Sequence, residues 1–179
     1  MTSRGRPRTV SPAMLAEAAT ELFLERGYHH TAVDDIAHRA GVSRATFFNY
    51  FPAKADVLFW DIDQTLSAIE DRVMGGVTPL DAVSSHAQTI AQTDRPLIAT
   101  QAETMAVLDD VGRVGPARVE RLRKIVAAQI PDSFDHWQIT AAIVSAALSW
   151  ATDSDDTREL STAIQDSLAR VANSLKHPL

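Results

Sequence analysis

The chain has 179 residues, 45% of them apolar, which is enough for one or two domains with a real core and argues against disorder. It has no cysteine, so disulfides, thiol catalysis and cysteine-based zinc sites are excluded, and a reducing compartment, the cytoplasm, is the expected location. The formal net charge of −6 hides an asymmetry: residues 1–55 hold seven Lys/Arg against five Asp/Glu, a balance of +2, and the remainder carries −8. One end is therefore expected to meet a polyanion.

The opening stretch "MTSRGRPRTVSPAM" has charge but no apolar run, and is not read as a secretory leader. "WQITAAIVSAALSWAT" is too short to span a bilayer and reads as a buried helix, so no membrane partner is expected. No alternating strand pattern is found, and apolar residues recur at helical spacing, so the fold class is all-α with about nine helices.

Ser11 as N-cap and Pro12 at the first helical position start the first helix. It buries Leu15, Ala18, Ala19, Leu22 and Phe23, turns Glu17, Glu21 and Glu25 outward, and ends at Gly27 in a left-handed C-cap. Thr31 and Asp34 suggest a reduced capping box for a short helix from Val33 to Ala40. Gly41 makes a turn, and Ser43 caps a third helix through Tyr50 or Phe51. Past Pro52 a long helix is predicted from near Lys54 to about Val73.

Beyond "GGVTP", helices are predicted over Leu80–Gln92, Pro96–Val111, Pro116–Ile130, Trp137–Thr152 and Thr157–Leu175, with Pro79, Pro96, Pro116 and Pro131 as punctuation.

Two short helices joined at Gly41, inside a basic three-helix unit, fit a helix-turn-helix; an αα-hairpin with no DNA role fits the spacing equally well. A helical wheel over 43–51 puts Phe47 and Phe51 on one face. Ala45, Thr46 and Asn49 lie opposite, with Arg44 and Phe48 on one flank and Tyr50 on the other. Such a strip suits a major groove: Arg pairs with guanine, Asn with adenine, and Ala or Thr methyls meet thymine.

The stretch "LFLERGYHHTAVDDIAHRAGVSRATFFNYFPAKADVL", Leu22 to Leu58, resembles the DNA-binding domain of TetR-family transcriptional regulators. The resemblance is carried by Thr31, Val33, Ile36, Ala37, Ala40, Gly41, Val42, Ser43, Thr46, Phe47, Phe48, Tyr50, Phe51, Lys54 and Val57/Leu58, about a third of the chain with its flanks. It implies an N-terminal arm and helix-turn-helix domain over 1–52 and a ligand-binding and dimerisation domain over 53–179. It further implies a homodimer on a palindromic operator, a repressor released by a small, largely apolar effector. By position, Arg44, Ala45, Thr46 and Asn49 would face bases, while Thr31, Ser43, Phe48, Tyr50 and Lys54 would meet the DNA backbone. Tyr50 stands where the family often has His, Phe48 where Tyr is common, and Ala53 where Ser is frequent. Asp34 has two readings: charge complementarity at a helix N-terminus, or acceptance from a cytosine amino group.

In the arm, Arg4, Arg6 and Arg8 alternate around Gly5 and Pro7, which is similar to an AT-hook core lying in the minor groove; a solubilising tail is the alternative. Trp60, Leu66, Met105 and Leu108 are candidate effector-pocket walls or ordinary core. Ile139, Ile143, Ala147 and Trp150, with Leu160, Ile164, Leu168 and Val171, form stripes on the last two helices. They fit either a four-helix dimer interface or an internal core. The histidines lack metal-ligand spacing, "DSDDTRE" lacks the glycine of a calcium loop, and no catalytic set emerges, so neither a cofactor, a metal site nor an enzyme is expected. The competing functional readings are a transcriptional activator and an α-helical adaptor that keeps the motif.

Overall fold

A computed structural model describes residues 11–91, 93, 95–102, 105–128, 133–153, 155 and 157–176. Among these residues all regular structure is helical, in the order α1 (Pro12–Arg26), α2 (Val33–Arg39), α3 (Arg44–Tyr50), a 3-10 segment (Lys54–Phe59), α4 (Trp60–Met74), α5 (Pro79–Ala87), α6 (Leu97–Gln101), α7 (Leu108–Ala127), α8 (Ser133–Thr152) and α9 (Leu160–Lys176). No helix among them is long and apolar enough to cross a membrane.

The first helix starts as its sequence dictates: the Ser11 hydroxyl accepts from the Met14 amide, and Pro12 occupies the first turn where no amide partner is required. Gly27 follows with φ +85 and ψ 154, a region open only to glycine but not the left-handed helical conformation expected. The second cap differs too. The N-cap of α2 is Ala32, whose amide donates to the Asp35 carboxylate at 2.9 Å. Thr31 is buried instead, and its hydroxyl donates to the Gly27 carbonyl.

Two apolar cores result. The first joins α1, α2 and α3 around Leu15, Leu22, Phe23, Ile36, Phe47 and Phe51, and runs on through Val57, Leu58, Phe59, Ile98 and Val107. It therefore extends well past residue 52. The second gathers Leu66 and Ile69 of α4 with α5, α7, α8 and α9, centred on Val126, Trp150 and Ile164.

Several predicted bounds shift. The helix expected from Lys54 opens as a 3-10 turn, where Asp56 accepts from the Ala53 amide and partly replaces the missing Ser cap. The helix expected over Pro96–Val111 breaks after Gln101, and Ala106 takes a positive φ of 52 before α7 begins. Pro116 does not start a helix but lies inside α7. Gly112, four residues back, is the carbonyl that loses its donor, and both residues are exposed, so water can satisfy it.

Candidate nucleic-acid interface

The putting together of α2 and α3 begins with backbone. Gly41 takes φ +72; its amide donates to the His38 carbonyl and that of Val42 to Ala37, which closes α2 and turns the chain within three residues. Ser43 then caps α3: its hydroxyl accepts from the Thr46 amide at 3.1 Å and pairs with the Thr46 hydroxyl at 2.9 Å.

Packing sorts the aromatic cluster. Phe47 and Phe51 are buried, with ring centroids 5.6 Å apart, while Phe48 and Tyr50 are 41% and 43% exposed. Arg44, Ala45 and Asn49 are exposed and Thr46 is half-buried, so α3 presents one polar strip to solvent over an apolar seat. The seat continues through Phe51 to Trp60, edge to face at 5.9 Å.

The electrostatics of this unit are less simple than its composition. Arg39 is held by Glu25 and Glu21 of α1, at 2.7 Å and 3.0 Å. The pair holds the Glu25 carboxyl below its usual range, chiefly through the hydrogen bond. Arg26 pairs with Asp35 at 3.1 Å, and Arg44 with Asp34 at 3.0 Å. Lys54 donates to the carbonyls of Tyr28 (2.8 Å) and Thr31 (3.0 Å), and its ammonium stands 3.9 Å from the Tyr28 ring centroid. Burial lowers its pKa. Burial, then a hydrogen bond with Asp110 of α7, raises that of the Tyr28 phenol. Residues 11–55 thus carry four basic groups against five acidic ones, and each basic group already has a partner. The positive excess belongs to Arg4, Arg6 and Arg8, which lie outside the described residues.

Of the residues expected to meet DNA, the structure therefore brings Arg44, Ala45, Thr46, Asn49, Ser43, Phe48 and Tyr50 onto one short helix. Thr31 is a correction to the expected phosphate contact: it is buried and its hydroxyl is committed within the loop. Lys54 is largely committed as well, with two of its three N–H groups given to carbonyls. The link between Asp34 and Arg44 is not legible from either residue alone; opposite charges on either side of a helix-turn-helix turn are its sequence signal.

The remaining candidates scatter. Leu66 is core, Met105 packs against the first core, and Leu108 is 59% exposed, so these do not line one cavity with Trp60. Trp60 borders an open groove of about 500 Å³ between α1 and the 3-10 segment, with Glu17, Glu21 and Asp61 on its rim. Ile143, Trp150, Leu160 and Ile164 are buried within the chain, packing α8 on α9, with Ile139, Ala147 and Leu168 beside them; Val171 is half-buried. The apolar side of α8 left in solvent is another one. Trp137 (53% exposed) and Leu148 (55%) lie on it, and with Ala141 and Val144 they border an open groove of about 570 Å³ that also touches Val119 of α7.

Residues 15–59 match the family model described as bacterial regulatory proteins, tetR family. The chain is similar to the transcriptional activator FasR of Mycolicibacterium smegmatis, 37% identical over 67 residues that cover 35% of this chain and 31% of FasR. It is similar to the transcriptional repressor DhaR of Mycobacterium sp. (strain GP1), 32% identical over 123 residues covering 63% of this chain and 61% of DhaR. The chain thus spans less than two thirds of the length of the curated relatives it matches. Among solved structures, Thermus thermophilus FadR, a TetR-family repressor crystallised with lauroyl-CoA, superposes with a TM-score of 0.56 at 22% identity, over 90% of this chain and 93% of that one, a likeness of fold. With the helix-turn-helix motif seated as the matched segment requires, residues 15–59 carry a DNA-binding domain of the tetR-family type.

Proposed function

We propose that the protein works as a homodimeric repressor that binds a palindromic operator and leaves it when a small, largely apolar effector binds. The observation that carries the DNA part is the outward strip of α3, with Arg44, Ala45 and Asn49 in solvent above a fully buried Phe47. One such helix reads half a site, and two of them one helical turn apart, about 34–36 Å, read a palindrome. Backbone contacts fall to Phe48, Tyr50 and the N-terminus of α3; Arg4, Arg6 and Arg8 supply the positive charge that the folded head lacks.

For the dimer, the supporting feature is the α8 face of Trp137, Ala141, Val144 and Leu148, because two large apolar side chains more than half exposed on one helix face call for a cover. Replacing Trp137 and Leu148 with Gln is expected to give monomers in sedimentation at micromolar concentration; a dimer unchanged by both substitutions refutes this face. Activation in place of repression is the second reading, and the relatives' own descriptions include both an activator and a repressor.

The test is a footprint on the intergenic DNA beside the protein's own gene. Arg44→Ala and Tyr50→Ala are each expected to weaken protection markedly, with helical circular dichroism intact. Unchanged protection by both variants rejects α3 as the reading helix.

A further inference from the structure

Asp34 lies in the first turn of α2 but does not make the capping hydrogen bond at the helix end. Asp35 makes that bond, accepting from the Ala32 amide at 2.9 Å and pairing with Arg26 at 3.1 Å. Asp34 reaches across the turn instead, where one of its carboxylate oxygens accepts from Nη1 of Arg44 at 3.0 Å. The Arg44 guanidinium carbon also stands 5.2 Å from the ring centroid of Phe48, one turn further along α3. Both partners of the ion pair are mostly exposed, so the pair adds little to folding. A carboxylate beside a DNA-reading arginine is moreover a net repulsion against phosphate.

We propose that Asp34 is a positioning residue that sets the base specificity of Arg44; this rests on the regulator reading above. The guanidinium is held by its own chain, by the Phe48 ring and by the Asp34 carboxylate. Nη1 is engaged, and the Nη2 and Nε edges remain to meet a base. An arginine fixed in this way is kept off the neighbouring phosphates and meets only a base whose acceptors lie where its donors point, with guanine O6 and N7 the natural pair. An unheld arginine bends to the nearest phosphate, which strengthens binding to every sequence and reads none.

The experiment is selection from a randomised duplex library, with parallel titrations on a fixed non-selected duplex at several salt concentrations, for wild type, Asp34→Ala, Asp34→Asn, Arg44→Ala and the Asp34→Ala/Arg44→Ala double variant. Asp34→Asn keeps the shape of the side chain and carries the test if the alanine variant folds poorly. The expected result is a roughly tenfold loss of preference at one base position in each half-site, on the scale of one bidentate contact. Binding to the non-selected duplex tightens, with a salt slope steeper by about 0.9 per freed arginine. In the Arg44→Ala background, Asp34→Ala is expected to change base preference no further, leaving only a small gain in binding to every sequence from the lost repulsion. The inference is overturned if base preference survives in both Asp34 variants, or if Asp34→Ala alters the same position when Arg44 is absent, which would make Asp34 itself the reader. A wild type that enriches no sequence overturns the regulator reading, and this inference with it.

Discussion

Arg118→Met should destabilise the fold more than loss of any exposed ion pair on α7. The Arg118 guanidinium makes a two-pronged contact with Asp63 of α4 (2.7 Å and 3.1 Å) and donates to Asp56 of the 3-10 segment at 2.9 Å and to the Val114 carbonyl at 3.0 Å. It also lies 4.9 Å from the Phe59 ring centroid. Burial acts to lower its pKa, but the hydrogen bonds with Asp63 and Asp56 outweigh it and hold the pKa above its ordinary value. The side chains of Arg118, Asp56 and Asp63 are only 15%, 13% and 28% exposed. Methionine fills similar volume but leaves Asp56 with no cation and Asp63 with only the longer contact to Arg121, at 3.8 Å. Breaking a fully buried pair costs about 3–5 kcal/mol; for these partly wetted groups about 2–3 kcal/mol is the appropriate scale. At about 2–4 °C per kcal/mol for a chain of this size, the melting temperature falls by roughly 5–10 °C. Thermal unfolding followed at 222 nm, at one fixed protein concentration, measures it. Arg123→Met, which removes a guanidinium paired with Glu120 one turn away on the same helix, is the control and should shift the midpoint little. Neutralising all three charges together (Arg118→Met, Asp56→Asn, Asp63→Asn) should recover much of the loss. A single-variant loss no larger than that of Arg123→Met refutes the reasoning.

The two helix-ending glycines should separate by conformation. Gly27→Ala should cost about 2–3 kcal/mol, because φ +85 with ψ 154 is a region closed to side chains, whereas Gly41→Ala at φ +72 should cost about 1–2 kcal/mol and Gly41→Asn less; chemical denaturation gives the order. Pro116→Ala should stabilise the protein, because it restores a donor to the Gly112 carbonyl in mid-helix, and an unchanged or lower denaturation midpoint would argue that the helix needs the proline. Burial, then the nearby Arg72 charge, lowers the pKa of His86 below its ordinary 6.5. The unfolded chain therefore binds a proton first as pH drops, so the stability this group contributes is complete above pH 6.5 and is lost as pH falls from there through the depressed folded value. His86→Gln should flatten the decline of melting temperature with acid in that range, and an unaltered profile would assign the decline to other groups.

Legibility in the sequence followed the range of the interaction. The start of α1, the Gly41 turn and the division of Phe47 and Phe51 from Phe48 and Tyr50 depend on neighbours within a few residues, and each was readable. The stripes on α8 and α9 were readable as stripes, but a wheel does not say whether a helix face meets its own chain or a second copy. The buried Ile143, Trp150, Leu160 and Ile164 answered for their own chain, leaving Trp137 and Leu148 outside. Charge was the least legible quantity. A balance of +2 suggested a basic surface, yet Arg26, Arg39 and Arg44 each close on a carboxylate brought in by the fold. The same holds for α7, where Pro116 looked like a start signal and Arg118 and Arg121 find their partners more than fifty positions earlier.

The ammonium of Lys54 has a mechanical consequence. By gripping the carbonyls of Tyr28 and Thr31, it pins the loop between α1 and α2 to the first residue of the segment that leads into α4. The three N-terminal helices are thus tied to the root of α4 rather than hung from it by a slack joint. A push on α4 therefore tips them as a solid piece.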